Sequence, residues 1–290
     1  MSHVEHEIAS QPDCWRKALE LEPAGLPERG ERVAVLGCGT SLFIAQAYAG
    51  LRERAGAGET DAFAASEFPE ARDYDRVLAI SRSGTTTEVL AALLRAADTP
   101  TTALTGDLAT PISTAADTVV DLEFADERSV VQTRFATTAL ALLRSHLGLA
   151  PVDLVAQAER ALIEPLPERA RSARQFTFLG SGWTIGLANE AALKLREASG
   201  SWTESYPAME YRHGPISVTG SDSVVWFFGE PPAGLVDQVR PTGAVLSVST
   251  LDPLADLVRA QRLAVELAAA RGLDPDRPRN LTRSIVLPRP

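Results

Sequence analysis

The sequence VLAISRSGTTTEVLAA, at residues 77–92, joins an apolar run to a hydroxyl-rich turn and then to an apolar-periodic stretch. The run at 77–80 is typical of a buried strand, and the stretch beginning at Thr87 is typical of a helix. The turn at 81–86 carries four hydroxyl side chains. Main-chain N–H groups at a helix start lack partners within the helix and lie at the positive end of its dipole. The stretch therefore predicts an anion site, with an ordinary helix cap as the alternative.

A second turn of the same kind follows an earlier apolar run. Residues 32–36 lead into the motif GCGTS at 37–41, and a helical pattern follows it. Further short strands, alternating with helical patterns, are expected at 61–65, 101–104 and 118–122. This alternation predicts an α/β fold on a parallel sheet with helices on both faces. In a flavodoxin-like strand order both turns would lie at the carboxyl ends of neighbouring strands, where ligands bind.

The composition excludes several functional classes. The chain has 290 residues, 45% of them hydrophobic, and a net charge of -10, which argues against a nucleic-acid partner. No apolar run is long enough for a membrane span, and the acidic N-terminal stretch is unlike a secretory signal, so a cytoplasmic location is expected. Cys14 and Cys38 provide neither a disulfide framework nor metal-ligand spacing. The motif at 37–41 lacks the third glycine and the acid of a dinucleotide fingerprint, so no cofactor is expected.

The second half of the chain repeats the order of the first, in which a strand, a turn with glycine and hydroxyl residues and a helix follow one another, in a shortened copy. A strand at 176–179 leads into Gly180-Ser181-Gly182 and a helix at 185–198, with further strands at 224–228 and 244–248 and a helix at 254–271. One long helix is expected at 126–147, and a second helical segment is expected at 151–174, broken by Glu164-Pro165-Leu166-Pro167. The predicted organisation is a helical lead-in at 1–30, a first domain at 31–150, a second domain at 165–275 and a C-terminal tail at 276–290.

The helix predicted near 187–198 carries three charged residues on one face. Glu190, Lys194 and Glu197 have the spacing i, i+4 and i+7, which is compatible with either a catalytic group or a solvated face with an ion pair. Lys194 and Lys17 are the only lysines among 28 basic residues. His213 precedes Gly-Pro on a turn and is the histidine best suited to proton transfer.

Motifs along nearly the whole chain resemble those of SIS-domain (sugar isomerase) proteins, in particular the isomerase half of glucosamine-6-phosphate synthases and the aminosugar-phosphate isomerase/deaminases. The motifs are EIASQP at 7–12, GCGTS at 37–41, ASEF at 65–68, SRSGTT at 81–86, SVVQTR at 129–134, NEAALKLRE at 189–197, YRHGP at 211–215 and DRPRNLTRS at 276–284. The resemblance implies two SIS subdomains, each a flavodoxin-like parallel sheet with helices on both faces.

The resemblance also implies roles for individual residues. Glu197 would be the acid/base that moves a proton between C1 and C2 of a sugar. His213 would open the sugar ring, reaching across a homodimer from the neighbouring subunit. The sugar phosphate would be bound by Ser41, Ser81, Ser83 and Thr86 with the main chain of Arg82, in a pocket also lined by Cys38, Gly39, Thr40, Val130, Glu190 and Lys194.

The sequence departs from the synthase pattern at three places. Arg283 stands where the synthase-like tail has a lysine that forms a Schiff base; a guanidinium cannot do this, although it can clamp hydroxyl or enediolate oxygens. Arg82 stands where an uncharged residue is usual and is expected to add charge near the phosphate. Position 2 is Ser2 rather than a nucleophilic cysteine, so no glutaminase domain is expected.

Two functions from different classes follow from these residues. The first is aldose–ketose isomerisation of a hexose or aminohexose 6-phosphate, coupled to deamination, because one carboxylate and one imidazole match that chemistry. The second is a non-catalytic phosphosugar sensor, which the phosphate turns would serve equally well. Arg283 favours the sensor, whereas Glu197 and His213 favour the enzyme.

Overall fold

The computed structural model describes residues 2–69 and 71–288. The chain divides into two compact units, each assembled from two segments of sequence. The first-sheet unit contains residues 13–151 and 282–288, and the second-sheet unit contains residues 2–12 and 152–281. The expected lead-in at 1–30 and tail at 276–290 therefore each contribute to both units, and Met1, Arg289 and Pro290 lie outside the described residues.

The strands follow the alternation expected from the sequence. In chain order they are β1 (Val33–Gly37), β2 (Thr60–Ala64), β3 (Arg76–Ser81), β4 (Thr101–Thr105), β5 (Thr118–Asp121), β6 (Gln175–Gly180), β7 (Trp202–Pro207), β8 (Ser223–Phe228) and β9 (Val245–Val248).

The α-helices connect these strands and flank the two sheets. They are α1 (His3–Ala9), α2 (Gln11–Leu19), α3 (Thr40–Arg54), α4 (Thr87–Arg95), α5 (Ile112–Ala115), α6 (Arg134–His146), α7 (Leu154–Ile163), α8 (Thr184–Ser199), α9 (Leu235–Val239) and α10 (Pro253–Ala270).

The first sheet is parallel throughout, with the order β2-β1-β3-β4-β5. This is the flavodoxin-like order, and the predicted α/β class is confirmed. Alternate residues of β1 and β3, such as Leu36 and Ala79, pack with Val89 and Leu93 of α4. The residues between them, such as Val35, are fully buried on the opposite face. Both faces are therefore covered, which explains the continuous apolar runs from which the strands were predicted.

The second sheet repeats this topology with one strand fewer, in the order β7-β6-β8-β9, and all its neighbours are parallel. Leu179, Val225 and Phe227 of its strands pack against Leu235 and Val239 of α9. The expectation of a second, shortened copy is confirmed.

One helical prediction was wrong in extent. The helix expected at 126–147 begins only at Arg134, since the preceding residues form a loop whose Glu127 carboxylate accepts N–H groups at the helix start. The break expected at 164–167 is confirmed, because α7 ends at Ile163 and a 3-10 turn follows at Glu168–Ser172. Helix α1 was not predicted, although Ser2 and Glu5 form a capping box at its start.

Within the described part of the chain, no helix is both long and apolar enough to cross a membrane.

Candidate functional site

The turn at residues 81–86 is fixed in shape by a glycine. Gly84 has a φ of +61°, and a Cβ added there would lie 2.0 Å from Thr110 Oγ1. Its carbonyl accepts the Ile112 N–H at 3.2 Å, and the Arg82 carbonyl accepts the Gly106 N–H at 3.1 Å. The loops after β3 and β4 are thereby joined, and the turn is held open at the start of α4.

Donors for an anion remain in this turn. Within residues 2–69 and 71–288, the main-chain N–H groups of Ser83 and Thr86 have no hydrogen-bond acceptor, and both residues are half-buried. The Ser83 hydroxyl already accepts the Thr85 N–H at 3.4 Å. Unpartnered N–H groups at the amino end of a helix bind anions well, so the geometry suits a phosphate.

The turn at 37–41 is built on a second close approach. A Cβ on Gly37 would lie 2.4 Å from the carbonyl carbon of Ser41, so only glycine lets the chain turn so sharply into α3. Thr40 and Ser41 begin that helix and are buried, and Gly39 precedes it with a φ of +55°. Burial raises the pKa of the half-buried Cys38 thiol above its ordinary value, so this side chain is neutral rather than a thiolate.

The two turns lie at one edge of the first sheet. β1 and β3 are parallel neighbours, with Leu36 opposite Ala79, so Ser41 and the 81–86 turn both follow the carboxyl ends of adjacent strands. The predicted neighbourhood of these strands is confirmed. Ser81 ends β3 and is buried, whereas Val130 is half-buried in the loop before α6.

The Arg82 side chain differs from the sequence expectation. It is 1% exposed, donates to the carbonyl of Ser129 at 2.8 Å and to that of Arg283 at 2.9 Å, and lies 4.0 Å from the Glu127 carboxylate. A guanidinium bound to internal partners brings little added charge to the turn. The main chain of Arg82 therefore stays the candidate phosphate contact, and the expectation of extra charge from its side chain was wrong.

Two acidic residues of this unit were missed by the sequence reasoning. Glu127 accepts the main-chain N–H groups of Thr133 at 2.5 Å and Arg134 at 2.9 Å, so it fixes the loop against α6. Asp126 contacts Arg283 through both carboxylate oxygens. The only local signal was the pair Asp126-Glu127 before an apolar-periodic run, which is typical of a helix start and carries no sign of its distant partners.

The tail lies along the 81–86 turn and the start of α4. The Ile285 carbonyl accepts the Thr87 N–H at 3.2 Å, and the Leu287 N–H donates to Thr87 Oγ1 at 2.9 Å. Thr85 Oγ1 donates to Ser284 Oγ at 3.0 Å. Residues 283–287, the tail strap, are thus attached to this turn at successive points.

Helix α8 holds the second group of predicted residues, in the second-sheet unit. Lys194 lies between two carboxylates: its Nζ is 3.5 Å from Glu190 Oε1 and is hydrogen-bonded to Glu197 Oε2. The Lys194 and Glu190 side chains are 1% and 0% exposed, whereas Glu197 is 18% exposed. The buried Lys194 ammonium therefore contacts two carboxylates. Of these two, Glu197 is the one that is also accessible to solvent.

Glu197 opens onto a cavity of about 470 Å³ within this unit. The cavity lies between the second half of α8 and the segment after α10, and Arg196, Arg277 and Arg279 also line it. Arg196 donates to the Thr203 hydroxyl at 2.9 Å, whereas Arg277 and Arg279 are exposed. A carboxylate beside cationic side chains in a cavity suits an anionic or polyhydroxylated ligand.

His213 ends a 3-10 turn at Glu210–His213 and is followed by Gly214, whose φ is +142°. Its imidazole is exposed and, among the described residues, has no hydrogen-bond partner. An unpartnered imidazole is free to exchange a proton with a ligand.

The structure thus gathers the predicted residues in two groups. The first-sheet unit brings the two turns, Arg82, Val130 and Arg283 to one edge of a sheet, and the second-sheet unit places Glu190, Lys194 and Glu197 on one helix face. Within residues 2–69 and 71–288, no group of three or more histidine, cysteine, aspartate or glutamate side chains is arranged to hold a metal ion.

Comparison with known protein families gives a match within the first-sheet unit. The family model described as the SIS domain matches residues 28–144. Among curated proteins, the glutamine–fructose-6-phosphate aminotransferase (isomerizing) of Gloeobacter violaceus is 28% identical over 318 residues, covering 89% of this chain and 52% of the relative. The protein of that name from Methanothermobacter thermautotrophicus is 29% identical over 336 residues, covering 97% of this chain and 57% of the relative. The chain spans about half the length of the curated relatives it matches.

Solved structures extend the likeness of fold to the whole chain. A glucosamine-6-phosphate deaminase from Thermotoga maritima superposes with a TM-score of 0.83 at 24% identity, covering 99% of this chain and 100% of that one. A tagatose-6-phosphate ketose/aldose isomerase from Escherichia coli superposes with a TM-score of 0.75 at 20% identity, covering 99% and 97%. At these identities the likeness concerns the fold.

Proposed function

Because the SIS-domain family model matches residues 28–144 of this chain, we propose that the protein binds a hexose or aminohexose 6-phosphate and interconverts its aldose and ketose forms. For an aminosugar phosphate we propose that this isomerisation is coupled to release of ammonia. The proposal rests on one observation above the others: a carboxylate, Glu197, is held by a buried lysine at the mouth of a cavity.

The phosphate would be held by the first-sheet unit. Ser83 and Thr86 offer main-chain and hydroxyl donors, and Ser41 follows the neighbouring strand at the same edge. A phosphate distant from the reacting carbons supplies binding energy that positions C1 and C2. Ser81 and the Arg82 main chain complete the proposed phosphate set.

Glu197 would carry the proton transfer. In the open-chain aldose its carboxylate removes the C2 proton, the C–H electron pair forms the C1–C2 double bond, and the carbonyl electron pair moves to O1, which gives an enediolate. The protonated Glu197 then returns its proton to C1, and the O2 proton passes to O1 as C2 becomes the ketone. The Lys194 ammonium fixes the position of the Glu197 carboxylate, and Glu190 holds that ammonium in place.

Deamination needs only water in addition. Starting from a 2-amino sugar, the same proton shift gives an imine at C2, and water adds to that carbon and displaces ammonia. No glutamine is consumed on this route. The relatives and structural neighbours, which include an aminotransferase, a deaminase and a ketose/aldose isomerase of hexose 6-phosphates, support this substrate class.

His213 would open the sugar ring by exchanging protons with the ring oxygen and the anomeric hydroxyl. Its exposure and its lack of a partner within the described residues support a role at the active site of a second copy, so we propose a homodimer. Arg283 would act without a covalent bond, as a clamp for sugar oxygens.

The direct test is a substrate panel for the full-length protein. Ammonia release and ketose formation would be measured with the 6-phosphates of glucosamine, galactosamine and glucose and with the same three sugars without phosphate, and aldose formation would be measured with fructose 6-phosphate. We expect turnover of at least one aminosugar phosphate, and no turnover of the sugars that lack the phosphate.

The matching variant is Glu197→Gln, which keeps the side-chain shape and removes the base. We expect a loss of roughly 100-fold or more in kcat, with the dissociation constant for the substrate changed less than about twofold. Glu168→Gln, at an exposed glutamate of the same unit, is the control. A Glu197→Gln protein that keeps a tenth of the wild-type rate would contradict the assignment.

A non-catalytic phosphosugar sensor is the second candidate, favoured by Arg283 at the position of the Schiff-base lysine. Calorimetric binding of the same sugars without turnover of any of them would establish it in place of the enzyme.

A further inference from the structure

The tail arginine is held at both its side chain and its main chain. Arg283 Nη2 lies 2.6 Å and 2.8 Å from the two carboxylate oxygens of Asp126. The Arg283 carbonyl accepts a hydrogen bond from the buried Arg82 guanidinium at 2.9 Å. The Arg283 and Asp126 side chains are 41% and 31% exposed, so an isolated pair of this kind would contribute little. The hydrogen bond from the buried Arg82 guanidinium fixes the main chain of Arg283, and this holds the Arg283 side chain next to Asp126.

Asp126 is itself fixed by its surroundings. Its carbonyl accepts from Arg134 Nε at 3.0 Å, and the neighbouring Glu127 is bound to the start of α6. Gly106 leaves space for the carboxylate, because a Cβ there would lie 3.2 Å from Asp126 Oδ1. The φ of Gly106 is not in the positive range, so close approach, and not backbone conformation, accounts for the glycine.

The contacts of the tail strap fix the position of Arg283 relative to the 81–86 turn. Ser284 and Ile285 contact Thr85 and Thr87, at the helix end of the turn, whereas the Arg283 carbonyl contacts Arg82, at the strand end, and its side chain contacts Asp126. A hexose that leaves a bound phosphate at the strand end of the turn would extend toward Arg283. The apolar side chains of the strap are about half exposed, so polar contacts hold it.

The remaining donors of Arg283 are available. Only its Nη2 is bound to Asp126, and among the described residues Nε and Nη1 have no acceptor. Donors that are already in place need no reorganisation when an oxygen gains negative charge, and this lowers a barrier.

We infer that Asp126 is the positioning residue of Arg283: its carboxylate aims the guanidinium at the oxygens of the bound sugar, where Arg283 stabilises the enediolate without a covalent bond. This inference rests on the proposed isomerase function. It assigns a specific role to an aspartate that makes no proposed contact with the substrate.

The test compares Asp126→Asn with wild type and with Asp98→Asn, an exposed aspartate between α4 and β4, at the opposite edge of the first sheet. Four quantities are measured: kcat and KM for the substrate that wild type turns over, the dissociation constant of inorganic phosphate by calorimetry, and the hydrogen-exchange rate of the Leu287 amide. For Asp126→Asn we expect kcat to fall roughly 10-fold to 100-fold, as for a misplaced catalytic group. Phosphate binding should change less than twofold, and exchange at Leu287 should accelerate. Asp98→Asn should behave as wild type.

A charge exchange gives the rescue. Asp126→Arg combined with Arg283→Asp restores the pair but moves the cation, so we expect tail exchange to slow again while kcat stays low. Asp126→Asn with wild-type kcat would overturn the inference, as would equal losses in kcat and phosphate binding. If wild type turns over no sugar phosphate, the proposed function fails, whereas unchanged tail exchange in Asp126→Asn separately refutes the positioning role.

Discussion

At the scale of single residues, the hydroxyl groups of Ser83 and Thr86 carry the proposed phosphate contact. Removing both in Ser83→Ala/Thr86→Ala takes two donors from the bound anion, which would then be held by main-chain N–H groups and by the hydroxyls of Ser41 and Ser81. Hydrogen bonds to charged groups contribute about 1.5–3 kcal/mol each, so we expect the dissociation constant for a hexose 6-phosphate to rise at least tenfold. Isothermal calorimetry measures this, with Ser145→Ala of α6 as the control. Unchanged affinity in the double variant would place the phosphate elsewhere.

Residue-level prediction from sequence was confirmed for local structure. The turn with Ser83 and Thr86 lies between a strand and a helix as expected, and Lys194 contacts the two glutamates spaced around it on one helix. Asp126 could not be found, because its partner Arg283 is 157 residues away and only the folded chain brings the two together. The destination of the Arg82 side chain was misjudged for the same reason, since its acceptors belong to two distant loops.

At the scale of elements, the 81–86 turn depends on Gly84 for steric reasons beyond its φ. Gly84→Ala would place a Cβ 2.0 Å from Thr110 Oγ1, whereas Gly56, with a similar φ of +60°, has open space at its Cβ position. Gly56→Ala should therefore cost only the backbone strain of about 1–2 kcal/mol. Gly84→Ala should cost clearly more and should also weaken phosphosugar binding. Urea unfolding of the two variants decides this, and equal losses would contradict a steric role.

A buried aspartate couples β8 to α10 and gives the second-sheet unit a pH dependence. Asp256 accepts from Trp226 Nε1 at 2.7 Å and from Arg259 Nη1 at 2.7 Å, and burial raises its pKa to about 6. Because the folded value exceeds that of the unfolded chain, the contribution to stability is complete below about pH 4 and is lost as pH rises through 6.

Asp256→Asn removes this titration. The difference in unfolding free energy between wild type and the variant should therefore be larger at pH 4.5 than at pH 7.5, as urea unfolding would measure. Asp237→Asn, at an exposed aspartate of α9, should show no such trend. A pH-independent difference for Asp256→Asn would show that the carboxyl keeps its ordinary pKa.

The elements themselves were predicted best where burial on both faces produced continuous apolar runs, as in β1 and β3. Periodicity placed the helix near 126–147 but could not show that Glu127 accepts the N–H groups of Thr133 and Arg134 and so ends the loop there. Helix α1 is short, so its capping box is a stronger signal than its apolar pattern.

At the scale of the whole molecule, the proposed homodimer predicts complementation between inactive chains. Glu197→Gln and His213→Ala should each be inactive alone. If His213 serves the partner's site, a mixed dimer contains one intact site, so an equal, fully exchanged mixture should recover about a quarter of the wild-type rate. Recovery is measured after mixing and dilution, with unmixed variants as controls. No recovery in verified mixed dimers would show that both residues act within one chain.

The attachment of the tail strap to the start of α4 has a consequence for biosynthesis. Thr87 and Leu287 are hydrogen-bonded partners 200 residues apart in the chain. At ribosomal rates of about 5–20 residues per second, roughly 10–40 s separate the appearance of the two. In that interval the nascent first-sheet unit lacks its last main-chain partner, and the second-sheet residues 152–281 are made before it arrives. A ribosome-bound chain stalled before residue 282 would thus display an uncovered turn to its surroundings.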